Sequence, residues 1–271
     1  MEMTRELMDV AVEIAKIAGR LAARRFYEGS PVRIKEDGSQ VTSADVEVED
    51  LIRSLIAARF PADGVIGEEQ GETVGTSGRR WVIDPIDGTT YFAERIPTFE
   101  ILLAIEDQNG SAVGVIGYPM SQEVYYAGRG LGCWHQVASK VPHLITVSDT
   151  RQRRGAWVTT SNPATWSEEF LVRLHREVML TSNMKGTAGV ASGLTDAMIM
   201  AGYPMGYPDI APMPVLLTEA CGRVTDLNGN DVLAGNGTVL ASNGHLHDAL
   251  LELVRGVPDG RDFQALMHAD C

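Results

Sequence analysis

The chain has 271 residues, 44% of them hydrophobic and 22% charged, and a formal net charge of −13 at pH 7. That length can bury a sizeable core, as one large domain or two packed lobes. The charge disfavours nucleic-acid polymers and anionic membrane surfaces as partners, and no apolar run approaches the ~18 residues of a membrane span.

Leu7, Val10, Ala11, Ile14, Ala18 and Leu21 recur with helical period. Glu2, Glu6, Asp9 and Glu13 interrupt them, so a first helix is expected here rather than a cleaved leader. Residues 30–41, SPVRIKEDGSQV, are turn-rich and read as an exposed loop or hairpin. Thr42 or Ser43 can cap a second helix that turns Leu51, Ile52, Leu55 and Ile56 inward and that Pro61 ends. Short apolar runs at 65–66, 81–83, 101–105, 113–118 and 124–127 read as strands, with a hairpin turn at 108–112. Beyond about residue 150 strands and helices interleave: a strand at 157–160, helices at 167–177 and 212–221, a strand at 239–242 and a closing helix at 247–254. The pattern argues for an α+β or layered α/β sandwich. A boundary is expected in the polar stretch 145–155, giving an N-terminal lobe 1–150 and a C-terminal lobe 151–271. Cys133, Cys221 and Cys271 form no ligand-like spacing, which points to free thiols in a reducing cytoplasm.

Three acidic features stand out: IGEEQGE at 66–72, WVIDPIDGTT at 81–90, and Asp209 within GYPDIAP. Trp81, Val82 and Ile83 have the character of a buried strand, so Asp84 falls at a strand's carboxyl end, where ligand sites collect. Pro85 is expected to stop simple continuation of the sheet. Asp87 follows on the same turn, Gly88 frees the backbone, and Thr89 opens a helix. Two carboxylates at this spacing can share a hard cation, and amides at a helix start can take a phosphate oxygen. An isolated Asp-Gly is usually only a turn. The full string is more specific, because two acids delivered by one strand are costly unless something binds them.

DPIDGTT after an apolar strand, with GEE upstream, resembles the inositol monophosphatase family, a group of lithium-sensitive, magnesium-dependent phosphatases. VTSAD at 41–45, VIGEE at 65–69, KGTAGVASGLTDAMI at 185–199, TEACGRVTDLNG at 218–229 and ASNGHLHDALLELV near the end extend the resemblance over most of the chain. It implies the layered α/β/α/β/α sandwich shared with fructose-1,6-bisphosphatase, and a cytoplasmic homodimer. It implies a phosphomonoesterase acting on a small phosphate ester of the inositol, cyclitol or sugar type. Histidinol phosphate and 3′-phosphoadenosine 5′-phosphate are the alternatives. Two or three Mg2+ ions are implied, with Mn2+ a possible substitute. Glu68, Asp84 and the Ile86 carbonyl would hold the first, Asp84, Asp87 and Asp209 the second, and Glu68 with waters a weaker third. Glu68 and Thr89 would orient and deprotonate the attacking water, and Asp45 would orient Thr89. Asp87, Gly88, Thr89, Gly186, Thr187, Ala188 and Asp209 would meet the substrate.

Simpler readings stand beside these. Glu69 reads as a solvated or structural acid, Asp45 as a helix-start acid, and Lys35 as plain surface, beside the family reading in which it faces the site from the hairpin. His245 and His247 read as the start of the last helix. A catalytically silent protein of the same fold would be expected to have lost one of the acids, and no calcium-loop spacing is found. The sequence also departs from the family pattern. Tyr207-Pro208-Asp209 replaces the usual Trp-Asp, and Tyr91-Phe92 the usual Asn-Phe. Gly202 stands where relatives acting on inositol phosphates often carry a glutamate that grips ring hydroxyls.

Overall fold

The computed structural model describes residues 2–35, 40–160, 163–182 and 185–260. Two compact units divide the chain: Met1–Ile145 with Ala211–Glu219, and Thr146–Ile210 with Ala220–Cys271.

The first unit begins with α1 (Glu2–Glu28), which buries Leu7, Ala11, Ile14 and Ala18 as its period requires. Strands β1 (Val32–Ile34) and β2 (Gln40–Thr42) pair antiparallel, as the hairpin reading expects, and residues 36–39 between them lie outside the described residues. Helix α2 (Ser43–Arg59) has Thr42 as its N-cap and a reciprocal capping box with Asp45. Ile52 and Ile56 are buried, whereas Leu51 and Leu55 are only partly so.

Then follow β3 (Gly64–Gly67), β4 (Gly71–Thr73), β5 (Arg80–Asp87), the short α3 (Thr89–Ala93), β6 (Glu100–Asp107), β7 (Gly110–Tyr118), β8 (Glu123–Gly128), β9 (Cys133–Val137) and β10 (His143–Ile145). They make an eight-stranded sheet in the order β10-β9-β8-β7-β6-β5-β3-β4. Only β3 and β5 run parallel. The expected strands all appear; the short and partly polar β4, β9 and β10 lack a strong apolar signal.

Both faces of the central strands are covered, which explains the continuous apolar run of β6. Ile101, Leu103, Ile105, Val113 and Val115 join the core formed with α1 and α2. Gly114 points the other way, toward Val215 and Leu216. Those belong to α7 (Met213–Glu219), which the contact pattern assigns to this unit although it lies far along the chain.

The second unit contains β11 (Trp157–Thr159), α4 (Glu168–His175), β12 (Met179–Thr181), α5 (Gly186–Ala191), β13 (Ala197–Met200), α6 (Tyr207–Ile210), β14 (Arg223–Thr225), β15 (Val239–Ser242) and α8 (His247–Val254). Its sheet has the order β12-β11-β13-β15-β14, parallel at β12-β11-β13 and antiparallel beyond. Val158, Phe170, Leu174, Ile199, Leu240 and Leu250 form its core. Ser167 caps α4 by accepting from the Phe170 amide, so the helix starts where its sequence signal placed it.

Each unit is thus a sheet with helices packed on it, in agreement with the α+β reading. Among the described residues no helix is long and apolar enough to cross a membrane. Cys133 and Cys221 are free thiols, and burial pushes the Cys133 thiol up to about 12. Cys271 and His268 lie outside the described residues.

Candidate active site

The site residues of the first unit collect at the carboxyl ends of β3 and β5. These two strands pair in parallel with Gly67 opposite Ile83. The Glu68 amide then donates to the Ile83 carbonyl at 3.1 Å, which sets Glu68 beside the start of the DPIDGTT segment.

Pro85 does not end the strand, contrary to the expectation. β5 continues to Asp87, and its pairing with β6 slips between Asp84 and Asp87: Asp84 faces Leu102 and Asp87 faces Glu100. Three steps on one strand meet two on the other, so the stretch holds a bulge. A bulge tolerates the missing proline donor and re-aims side chains. Asp84 is 1% exposed, and its Oδ1 accepts from the Ile86 amide at 3.0 Å. One carboxylate oxygen of Asp84 and one of Asp87 lie within 4.8 Å of each other. Ile86 is fully buried, leaving its carbonyl as its only polar offering besides the amide.

Gly88 has φ +88, a left-handed conformation suited to glycine, and is the N-cap of α3. Its tight fit against the Thr98 carbonyl, 3.2 Å from where a Cβ would stand, is a second reason for glycine. The Thr89 hydroxyl reaches Asp45 Oδ1 at 3.0 Å and the Ile86 carbonyl at 3.1 Å. Asp45 is completely buried, and its other oxygen accepts from the Thr42 amide at 2.9 Å and from the Thr42 hydroxyl. It therefore combines two readings that the sequence set side by side, capping α2 and holding Thr89. Burial pushes its carboxyl above the ordinary range, against the opposing hydrogen bonds from Thr42 and Thr89.

Lys35 is not plain surface. Its ammonium lies 3.1 Å from Glu68 Oε1 and 2.7 Å from Glu69 Oε1. Burial opposes its charge, but these carboxylates win and hold its pKa above the usual value. Glu69 is structural rather than solvated, with its side chain 6% exposed. Burial raises its carboxyl pKa in spite of Lys35. Two further residues were not singled out by the sequence. Glu49 and Arg53 on α2 form an ion pair at 2.8 Å under the Glu68 turn. Their signal was a charged pair at helical i, i+4 spacing, which reads as an exposed face until the burial is known.

The remaining expected site residues belong to the second unit. Gly186, Thr187 and Ala188 open α5, with Thr187 and Ala188 buried. Asp209 lies in α6, and its Oδ2 accepts from the Gly206 amide at 2.9 Å. Gly202 has φ +77, and its amide donates to Asp259 at 3.1 Å. A Cβ there would run into the Thr165 carbonyl, so the position has no room for a side chain.

Acids and a carbonyl at adjacent strand ends, followed by a glycine and a helix start, are the build of a phosphoric monoester hydrolase. The profile of the inositol monophosphatase family matches residues 3–259, and the chain belongs to that family. It is 43% identical over 256 residues to a histidinol-phosphatase of Chlorobaculum parvum, covering 87% of this chain and 92% of that one. It is 32% identical over 264 residues to an inositol-1-monophosphatase of Mesorhizobium japonicum, covering 92% and 96%. Among solved structures, the extragenic suppressor protein suhB of Bartonella henselae superposes with a TM-score of 0.83 at 26% identity, covering 93% of this chain and 99% of that one. The protein is accordingly a phosphomonoesterase of the inositol monophosphatase family.

Proposed function

We propose that the protein is a magnesium-dependent phosphatase of a small metabolite, with histidinol phosphate the favoured substrate. The observation that carries the metal reading is the donor set. Glu68, Asp84, Asp87 and the Ile86 carbonyl offer only oxygen, the hard ligands that suit Mg2+ and, next to it, Mn2+. By motif correspondence Glu68, Asp84 and Ile86 would hold one ion, Asp84, Asp87 and Asp209 a second, and Glu68 a weaker third. Bound there, the ions would screen the phosphate from the carboxylates and ease ionisation of a water.

The chain's own residues supply the rest. Thr89 gives its hydroxyl proton toward Asp45 or the Ile86 carbonyl, so its lone pairs are free to accept from the attacking water. Glu68 takes that water's proton as general base. The first-turn amides after Gly88 have no carbonyl partner within their own helix and can receive a phosphate oxygen. Gly186, Thr187, Ala188 and Asp209 complete the substrate contacts in this reading.

Gly202 bears on the substrate. A glutamate gripping ring hydroxyls from this position is excluded by the Thr165 carbonyl. That argues against inositol phosphate, and the 43% identity to a histidinol-phosphatase argues for histidinol phosphate. A nucleotide 3′-phosphate has only Lys185, Tyr203 and Tyr207 in its favour. The reading carries with it a cytoplasmic homodimer, for which light scattering is the check.

The test compares kcat/KM for histidinol phosphate, inositol 1-phosphate and 3′-phosphoadenosine 5′-phosphate, with Mg2+ and after chelation. Histidinol phosphate is expected to lead, with no turnover in chelator and inhibition by lithium. A lead for inositol 1-phosphate would overturn the substrate, and full turnover in chelator would overturn the metal.

A further inference from the structure

We propose that Glu49, together with Arg53, is a positioning residue for Glu68: it fixes the turn that presents this carboxylate and so sets the affinity of the site for its divalent cation. The proposal rests on the metal role of Glu68 argued above.

Glu49 lies four residues after Asp45 on α2 and is completely buried. Its Oε2 accepts from the Glu69 amide at 2.9 Å, and its Oε1 from the Gln70 amide at 3.2 Å. The two peptide groups directly after Glu68 thus converge on one carboxylate. Arg53, a further turn along, donates to Glu49 at 2.8 Å and to the Gly71 carbonyl at 2.6 Å. The turn from β3 to β4 is therefore held at three successive backbone positions by two side chains of one helix.

The other contacts of the turn are polar too: the Glu68 amide on the Ile83 carbonyl, Lys35 on Glu68 and Glu69, and the Gln70 side chain on Asp50. Gln70 through Val74 are exposed, and all three residues of β4 are exposed at the sheet edge. Strand β3 is anchored in the core through Val65, but from Gln70 on no buried apolar residue supports the turn, so its geometry there depends on polar contacts. Gly67 gives an independent sign that the contact is built in: a Cβ there would overlap Glu49 Oε1 and Arg53, so strand β3 leaves the space to the carboxylate. A buried ion pair contributes little to stability beyond what a well-packed apolar pair would. An apolar pair, however, could not bind two amides and a carbonyl. Asp45, Glu49 and Arg53 share one face at i, i+4 and i+8. That face holds the Thr89 hydroxyl at one end and the Glu68 turn at the other. One rigid helix therefore sets the spacing of two groups that must act on the same phosphate.

The test titrates Mg2+ alone into metal-stripped wild type, Glu49→Gln, Arg53→Gln and Glu68→Gln by calorimetry. Hydrolysis of p-nitrophenyl phosphate is followed against Mg2+ concentration in the same proteins. Glutamine keeps the shape at position 49 but turns an NH2 against one of the two amides. Loss of an outer partner of a metal ligand typically costs about 10- to 100-fold in metal affinity or activity. Glu49→Gln should therefore raise the Mg2+ dissociation constant and the half-saturating Mg2+ concentration by ~10-fold or more. KM for the ester at saturating Mg2+ should stay within about twofold, because a positioning residue does not touch substrate. Arg53→Gln should move the same two quantities by a smaller factor. If Glu49→Gln does not fold, Arg53→Gln decides. Wild-type Mg2+ binding in a folded variant overturns the proposal. An active Glu68→Gln would instead overturn the metal role of Glu68 itself, which separates the two failures.

Discussion

The Thr89 hydroxyl lies 3.0 Å from Asp45 Oδ1 across 44 residues of chain, and 3.1 Å from the Ile86 carbonyl. Its single proton can go to either acceptor, which leaves hydroxyl lone pairs able to accept from a third partner. Asp45 is itself held by Thr42, the residue that caps α2. The helix start and the hydroxyl are thereby parts of one hydrogen-bond chain.

Thr89→Ala should lower kcat by ~10²- to 10⁴-fold, the range of a lost proton-transfer partner, while KM changes little. Thr89→Ser should recover most of the rate, because it keeps the oxygen and the proton. Steady-state kinetics on the three proteins decides the point; an alanine variant with the wild-type kcat would remove Thr89 from the chemistry.

Asp84→Asn and Asp87→Asn should each abolish turnover without loss of fold. In the metal-free protein each should melt at or above the wild-type temperature. Removing one of two carboxylates held within 4.8 Å relieves a mutual repulsion that a bound cation would offset. Calorimetric melting with and without Mg2+ reads this: Mg2+ should raise the wild-type melting temperature and leave the variants unmoved. A variant that retains turnover would sink the ligand assignment.

Gly202→Glu should not confer activity on inositol 1-phosphate. It should destabilise the protein by about 2 kcal/mol or more, since a left-handed backbone and a backbone clash are combined at one position. Urea unfolding measures the loss, and a stable variant with new inositol phosphatase activity would contradict the account of the wall.

Falling pH should destabilise the second unit through His247. The ring is buried between the Thr225 and Ser242 hydroxyls, each at 2.9 Å. Burial, assisted by the charge of Arg223, lowers its pKa to about 4, against the pull of Asp248. The unfolded chain takes up this proton near pH 6.5, the ordinary histidine value. Between about 6.5 and 4 the unfolded state therefore binds more protons, and stability falls by up to ~1.4 kcal/mol per pH unit. Above that window the group adds no pH dependence. Urea midpoints of wild type and His247→Gln should converge as pH falls from 7.5 to 4.5; parallel curves would refute the assignment.

Much of the first unit was legible because its signals are local. The Thr42 cap, the period of α1 and the alternation of apolar runs with turn residues each depend on neighbours in sequence. The site was legible as a string for the same reason, since Asp84, Asp87, Gly88 and Thr89 fall within a few residues. What escaped was set by distant partners. Pro85 was read as a stop because the bulge that accommodates it exists only against β6. Glu49 and Arg53 drew no attention in the sequence, because their i, i+4 charged spacing is that of an exposed helix face and their burial depends on the Glu68 turn, distant in sequence. For Lys35 the sequence left surface and site side by side, and the contacts with Glu68 and Glu69 that decide between them lie more than thirty residues away. Gly202 could be noted as a missing glutamate, but that no side chain fits there depends on Thr165, far away in sequence.

Helix α7 carries a consequence for how the protein is made. It covers the face of β7 that bears Gly114, and its last residue, Glu219, binds the amides of Gly130 and Gly132 at 2.7 and 2.8 Å. A nascent chain that has emerged only to Ile145 has every strand of the eight-stranded sheet but nothing to lay over that side. The ribosome must deliver some seventy more residues before the first unit can close. The N-terminal sheet therefore waits, apolar side bare, while β11, β12 and β13 of the second unit are being synthesised, which marks this interval as the one where a chaperone would matter most.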